Sequence, residues 1–303
     1  MYLNFRTIKQ SFLFQEKNLN FHYRYQLRET MGLFGSKEDS EDLMYHAMSL
    51  IERNQPKGAI TLFSKIIKQD PKNISALYNK GMALNQIKKY SDAVTCFDLL
   101  LEINPNDSQA YNNKGIAMAE MGDTQAANEC YEKAIKADPK NSSSYFNKGV
   151  LLDRLQEHDE ALKFLDKAIV ADSKKSNAMF YKGVILGKIK KHEEALNCFE
   201  NVCKKHPTHM DAIFHKGIEL AELERHEKAI EIFDKILSKN KDNANIIYAK
   251  SRSQAALGNY VEAIELLKKA ILLNSKTIRE WAKKEKIFEK LHDNEQFRKI
   301  VKL

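Results

Sequence analysis

The sequence contains little of what crosslinks a chain, binds a metal or crosses a membrane. It has five prolines, four cysteines and one tryptophan in 303 residues. The cysteines lack metal-ligand spacing, and we expect buried packing thiols in a reducing compartment. No apolar run reaches the roughly 18 residues of a membrane-spanning helix, and no secretory signal pattern is present. We therefore expect a cytoplasmic protein without a membrane span.

Motifs of catalytic and cofactor sites are equally scarce. The sequence has no Gly-rich phosphate loop, no nucleophile elbow and no HExxH zinc motif. His206, His209 and His215 lie close in sequence but flank a turn, and zinc sites usually need tighter ligand geometry with cysteine partners. We therefore expect no enzyme activity, no cofactor and no bound metal.

The sequence does contain a repeat of 34 residues. Glycine recurs at this interval at Gly81, Gly115, Gly149, Gly183 and Gly217. Alanine recurs at it without a gap at Ala59, Ala93, Ala127, Ala161, Ala195, Ala229 and Ala263. A fixed period of this length is typical of stacked arrays of one supersecondary element. The frame gives seven repeats, 40–73, 74–107, 108–141, 142–175, 176–209, 210–243 and 244–277.

Each repeat contains two apolar patterns of helical spacing, separated by a short polar turn. We expect the glycine of the first helix to face the alanine of the second, so that the two backbones approach closely. A larger side chain at either place would cost about 1–3 kcal/mol through overpacking. Both patterns are clear in the third repeat, at Tyr111, Gly115 and Met118 and at Ala127, Tyr131 and Ala134.

These residues, together with Pro139 at the end of the third repeat, resemble the tetratricopeptide repeat, a 34-residue helix–turn–helix hairpin. The resemblance covers residues 40–277 and implies an all-α fold, a right-handed superhelical solenoid of seven repeats. Residues 278–303 would form a capping helix or partial eighth repeat, to which we assign Trp281. Ala47 and Ser251 replace the glycine in the first and last repeats, and terminal repeats commonly differ because they cap the stack.

Residues 1–39 do not follow the repeat, and we predict an N-terminal extension there. Residues 19–27 alternate between apolar and polar side chains, which is typical of a strand. An all-helical array offers such a strand no partner. Met31 resembles a natural start, and we expect the first 30 residues to be either a disordered tail or an untranslated segment.

The resemblance implies that the first helices line the concave surface of the solenoid, where a partner would bind. One position of these helices reads Tyr78, Asn112, Phe146, Phe180, Phe214 and Tyr248. The position four residues later reads Met82, Ile116, Val150, Val184 and Ile218. If the stripe is accessible, its extent marks an interaction site. Packing between neighbouring helices is the structural alternative.

A third position of the first helix holds Asn79, Asn113 and Asn147. An asparagine amide offers a donor and an acceptor, so three of them can hold an extended peptide backbone. This row resembles the asparagine ladder in the repeats of O-GlcNAc transferase, although a structural hydrogen bond within the repeat is the alternative. Phe146 and Val150 occupy positions that chaperone-binding members use to clamp carboxylates, so we disfavour acidic chaperone tails as partners.

The formal net charge is +8, and part of the excess forms a row of lysines, each directly before the glycine position. The row is Lys80, Lys114, Lys148, Lys182, Lys216 and Lys250. It could track phosphates, or its stems could cover the helix while the ammonium groups reach water. We predict a non-catalytic scaffold that binds an extended or amphipathic peptide of a partner protein, as a monomer or with weak self-association. Nucleic-acid binding through the basic surface is the alternative.

Overall fold

The computed structural model describes residues 40–174 and 176–302. These residues belong to two compact bodies, an N-terminal body within residues 1–89 and a C-terminal body within residues 90–303. All regular secondary structure in the described ranges is helical, which confirms the predicted all-α class. The N-terminal extension, its strand pattern and the second start at Met31 lie outside the described residues.

The N-terminal body has three described helices, α1 (Ser40–Glu52), α2 (Pro56–Gln69) and α3 (Ile74–Gln86). α2 packs against both of its neighbours. The core of this body consists of Leu43, Ala47, Ala59, Phe63, Ile66 and Ala76. Ala47 is fully buried at the position where later repeats have glycine, so a methyl group is accommodated there.

The C-terminal body contains helix pairs that follow one another along the chain. Its helices are α4 (Tyr90–Ile103), α5 (Ser108–Met121), α6 (Thr124–Ala137), α7 (Ser142–Arg154), α8 (His158–Ala171), α9 (Asn177–Lys188), α10 (His192–Lys205), α11 (Met210–Glu222), α12 (His226–Leu237), α13 (Ala244–Ala256), α14 (Tyr260–Leu273), α15 (Ser275–Lys284), a 3₁₀ helix (Lys286–Leu291) and α16 (Glu295–Val301). Helices that are consecutive in sequence pack together, and contacts also join α5 to α7, α9 to α11 and α11 to α13. α9 meets α7 through Tyr181, whose hydroxyl donates to Asp153 at 3.1 Å. The first helices of successive pairs therefore form a continuous surface, which we call the first-helix face.

Five first helices, α3, α5, α7, α11 and α13, begin where the preceding side chain caps them, whereas Ser176 before α9 makes no such bond. Asp107 accepts a hydrogen bond from the Ala110 N–H at 2.9 Å, and Asn141 caps α7 in the same way. Asn73, His209 and Asn243 cap α3, α11 and α13. Each such cap satisfies a backbone N–H without an intrahelical partner and typically contributes about 1 kcal/mol.

The predicted approach of the repeat glycine to the alanine of the second helix is found at Gly149, where an added Cβ atom would lie 3.2 Å from the Ala161 carbonyl oxygen. At Gly115, Gly183 and Gly217 the nearest side chain is instead an aromatic ring of the second helix. A Cβ atom added to Gly115 would lie 2.6 Å from Cε1 of Tyr131, so the glycine makes room for a ring rather than for the alanine. Ser251, which replaces the last glycine, donates a hydrogen bond to the Ala263 carbonyl at 2.7 Å. The recurring alanines are themselves fully buried, at Ala59, Ala93, Ala127, Ala161, Ala195, Ala229 and Ala263.

The chain after Thr277 covers the end of the last helix pair with more than the one helix that we predicted. α15 and the 3₁₀ helix pack on α13, and α16 packs on α14 and α15. Arg279 Nε donates to the Ile300 carbonyl at 3.0 Å, which joins α15 to α16. The buried apolar residues of this region are Ile278, Ala282, Phe288, Leu291, Phe297 and Val301. The division into seven repeats and a cap stays a prediction.

Candidate peptide-binding surface

The predicted apolar stripe is half-buried along most of the first-helix face. Its aromatic rings contact the rings of neighbouring helices: Phe146 meets Tyr181 edge-on, with centroids 5.9 Å apart, and Phe180 meets Phe199 at 5.6 Å. The aliphatic members Ile116, Val150, Val184 and Ile218 are also half-buried. The stripe therefore packs between helices and still presents apolar area to solvent.

The N-terminal body carries three of the predicted site residues on α3. Met82 is 40% exposed, and Tyr78 is half-buried. Asn79 donates a hydrogen bond from Nδ2 to the Ser75 carbonyl at 2.9 Å, one turn earlier on its own helix. Of these three side chains, Met82 presents the largest exposed fraction.

The asparagines of the C-terminal body are held by bonds within the chain. Asn113 is 7% exposed, and its Nδ2 donates to the Gln109 carbonyl at 2.8 Å. Asn147 Nδ2 donates to Asn112 Oδ1 at 2.9 Å, which links α7 to α5. A peptide that used these amides as donors would have to displace existing bonds. These bonds match the alternative raised in the sequence analysis, in which the asparagines make structural hydrogen bonds within the chain.

A groove of about 470 Å³ opens between α11, α13 and α15. Three predicted site residues, Phe214, Ile218 and Tyr248, meet in it. The remaining lining residues, which sequence reasoning missed, are Asn245, Ala249, Arg252, Trp281, Lys284 and Glu285. A volume of this size lies within the range of about 300–1,000 Å³ that is typical of ligand sites.

Trp281 is the most exposed aromatic side chain of this groove. It lies on α15, the helix that we assigned to the cap, yet 45% of its surface is accessible. Its ring centroid lies 5.6 Å from that of Tyr248. Tyr248 is 7% exposed. Burial raises the pKa of its hydroxyl, and the negative charge of the nearby Glu285 carboxylate raises that pKa further.

An ion-pair network forms one end of the groove. Arg252 donates from one terminal nitrogen to Glu222 at 3.0 Å, and its Nε lies 2.9 Å from Glu285. The guanidinium group thereby joins α11, α13 and the residue that follows α15. Preceding repeats have an apolar side chain at the repeat position of Arg252. The arginine could therefore have indicated, from the sequence alone, a role other than apolar packing.

Comparison with known proteins assigns the family. One family model described as tetratricopeptide repeat matches residues 112–176 and 182–245, and a second with the same description matches residues 50–114 and 220–287. The chain belongs to the tetratricopeptide repeat family. No curated protein matches it.

Solved structures of other tetratricopeptide repeat proteins share this fold. pilF of Pseudomonas aeruginosa is 18% identical with a TM-score of 0.61, over 70% of this chain and 97% of pilF. A tetratricopeptide repeat protein of Parabacteroides merdae is 17% identical with a TM-score of 0.57, over 80% of this chain and 96% of that protein. YrrB, described as having an unusual peptide-binding site, is 26% identical with a TM-score of 0.50, over 62% of this chain and 97% of YrrB.

The lysine row of these tetratricopeptide repeats is largely paired with carboxylates. Each lysine of the row that belongs to the C-terminal body lies 2.5–2.8 Å from a carboxylate oxygen on the preceding second helix. The carboxylate belongs to the residue sixteen positions earlier in the sequence. The pairs are Lys114–Asp98, Lys148–Glu132, Lys182–Asp166, Lys216–Glu200 and Lys250–Asp234. Although burial lowers the pKa of Lys114, the hydrogen bond and charge of Asp98 outweigh it and raise that pKa. Most of the row therefore serves contacts between helices.

Histidines at one repeat position begin the second helices α8, α10 and α12. His158 Nδ1 lies 2.9 Å from Asp153, and His192 Nδ1 lies 2.8 Å from Glu219. In the part of the chain that the structure describes, no group of three His, Cys, Asp or Glu side chains is arranged to hold a metal ion. None of the helices in residues 40–174 and 176–302 has the length and apolar character needed to cross a membrane.

Proposed function

We propose that this chain is a non-catalytic scaffold that binds an extended or amphipathic peptide of a partner protein on its first-helix face. The observation that carries the proposal is the groove that Phe214, Ile218 and Tyr248 line together with the exposed ring of Trp281. Accessible apolar surface with a few convergent polar groups favours binding of another molecule. The peptide-binding site for which YrrB is described gives further support.

Within this proposal, the apolar side chains supply most of the affinity. Large aromatic side chains in desolvated pockets dominate the free energy of binding at many interfaces. The half-buried rings of Phe146 and Phe180 would extend the same surface along the preceding repeats. The asparagine ladder stays a separate prediction, because a bound peptide backbone would compete with the intramolecular hydrogen bonds of Asn113 and Asn147.

Selection from a library of random dodecapeptides, with the full chain as bait, tests the proposal. We expect selected synthetic peptides to bind the wild-type chain saturably. The double variant Phe214→Ala and Ile218→Ala should weaken binding by about tenfold or more, the loss typical of a binding hot spot. Val261→Ala is the matched control, because Val261 is exposed on the second helix α14 and does not line the groove.

Absence of any saturable binder, or equal affinity of the double variant and the control, would contradict the proposal. Circular dichroism of each variant must first show an unchanged helix content. Otherwise a weaker signal would report unfolding rather than the loss of a contact.

Nucleic-acid binding has less support as an alternative. Five lysines of the basic row are paired with carboxylates, which leaves fewer charges free to track phosphates. The two functions differ in their response to salt: phosphate binding weakens steeply as salt rises, whereas an apolar groove is nearly indifferent. A binding titration over a salt series, with a nuclease-treated sample beside it, separates them.

A further inference from the structure

The groove between α11, α13 and α15 contains hydrogen-bond donors that the described chain does not use. Within residues 40–174 and 176–302, no side chain or backbone group pairs with the Lys284 ammonium group or accepts a bond from the Trp281 indole N–H. The Tyr248 hydroxyl is buried and also lacks a partner there. These donors border the same apolar rings.

The carboxylate that lines the groove is already bound. Arg252 Nε lies 2.9 Å from a carboxylate oxygen of Glu285 as an ion pair, and a terminal nitrogen of the same guanidinium group donates to Glu222 at 3.0 Å. Together these three side chains carry a net charge of −1, but Glu222 does not line the groove. The charged side chains of the lining are Arg252, Lys284 and Glu285, which leave one positive charge in excess. Lys284 has no ion-pair partner among the described residues, so the lining favours a partner that brings a negative charge.

We infer that the groove selects peptides in which a large apolar side chain is followed closely by a carboxylate. The apolar side chain would contact Phe214, Ile218 and Trp281. The carboxylate would accept hydrogen bonds from Lys284 and from the Trp281 indole. The carboxylate can come from an acidic side chain or from the peptide's C-terminus, which present the same chemistry to the groove.

This selectivity rests on the proposed peptide binding and adds the chemistry of the partner. Charge-assisted hydrogen bonds to a carboxylate are shorter and stronger than neutral ones, so a single such contact can decide between peptides of equal apolar content. Because the Lys284 ammonium group has no partner within residues 40–174 and 176–302, a bound carboxylate would replace only water there.

The single tryptophan of the chain provides a direct probe. Peptides selected as above and free of tryptophan would be titrated while the fluorescence of Trp281 is recorded. We expect enriched sequences to pair leucine or phenylalanine with glutamate, aspartate or a free C-terminus, and their binding to shift the emission of Trp281. Replacing the carboxylate with an amide should weaken binding about tenfold. Amidation of the C-terminus and Glu-to-Gln exchange, made separately, identify which carboxylate is used.

Lys284→Gln is the decisive variant, because Lys284 is exposed and has no hydrogen-bond or ion-pair partner among the residues that the structure describes. It should remove the preference, so that the acidic peptide and its amide bind the variant with equal affinity. Lys276→Gln, an exposed lysine of the same helix outside the groove, is the matched control and should keep the preference.

Three outcomes would overturn the selectivity while peptide binding itself stands. Selected peptides could lack acidic groups, could leave the Trp281 emission unchanged, or could bind Lys284→Gln with the same preference. A change of Trp281 emission with protein concentration alone would place a second copy in the groove and overturn it as well. Failure to select any peptide would contradict the proposed function and the selectivity with it.

Discussion

Lys148 Nζ lies 2.7 Å from Glu132 Oε1 and 4.5 Å from the centre of the Phe164 ring. Lys148 lies on α7 and Glu132 on α6, so the ion pair joins the second helix of one predicted repeat to the first helix of the next. Phe164 lies on α8, the partner of α7. One buried lysine thus holds three helices together, and the lysine row that suggested a phosphate track has a structural role at this position.

Lys148→Met tests this role, since methionine keeps most of the aliphatic stem and removes the charge. We expect the free energy of unfolding to fall by about 1 kcal/mol, because both the ion pair and the cation–π contact are lost. Urea unfolding followed by circular dichroism measures it. Lys163→Met is the control, because the Lys163–Glu160 pair lies on the surface of a single helix. An equal effect of the two variants would contradict a special role for Lys148.

The buried Glu219 predicts a stability that depends on pH. Its carboxylate lies 2.8 Å from His192 Nδ1 and against Gly187, where an added Cβ atom would be 2.5 Å from Oε1. Burial raises the pKa of Glu219 above its ordinary value, with the charge of Glu222 acting in the same direction and His192 opposing. A raised pKa means that this group's stabilising contribution is present below the ordinary carboxyl pKa and is lost as pH rises through the folded-state pKa.

Glu219→Gln should therefore unfold at a higher temperature than the wild-type chain at neutral pH, since glutamine resembles the protonated acid. The difference should shrink as pH falls below the ordinary carboxyl pKa, where Glu219 is protonated in both states. Thermal unfolding of both proteins over a pH series measures this. A wild-type chain more stable than the variant at neutral pH would show that the charged pair with His192 outweighs burial.

The period of the sequence predicted the helices and the buried alanines because both recur in every repeat. Ala59 and Ala263 occupy one position of the frame, and both are fully buried. Contacts between residues that do not recur could not be predicted from the period. Glu219 and His192 stand at different repeat positions, and Arg252 replaces the aliphatic residue of its position. Trp281 was assigned to the cap because its place in the frame gives its helix but not its exposure.

The asparagines show a second limit of prediction from spacing. Their recurrence at one position is visible in the sequence, but the direction of each side chain is set by rotamer choice. Asn113 turns back to a carbonyl of its own helix, whereas Asn147 reaches across to Asn112. Asparagines at the same repeat position therefore have different hydrogen-bond partners.

The triple variant Asn79→Ala, Asn113→Ala and Asn147→Ala tests the predicted ladder. If the amides hold a peptide backbone, affinity for peptides selected by the wild-type chain should fall at least tenfold, by loss of several hydrogen bonds of about 0.5–1.5 kcal/mol each. Fluorescence anisotropy of labelled peptides measures it. Asn106→Ala, in the exposed turn between α4 and α5, is the control. Unchanged affinity would show that the asparagines serve only the bonds seen within the chain.

Ala161→Leu tests the packing on which the array depends. Ala161 is fully buried on α8, and its carbonyl oxygen lies 3.2 Å from a Cβ atom placed on Gly149 of α7. The added atoms have no space between the two helices, so we expect a loss of about 1–3 kcal/mol in the free energy of unfolding. Because each repeat of a solenoid contacts mainly its neighbours, the damage should uncouple the middle of the stack and broaden the unfolding transition. Differential scanning calorimetry would show this against Ala171→Leu, a half-buried position of the same helix. A transition as narrow and as high as that of the wild-type chain would contradict the close approach of α7 and α8.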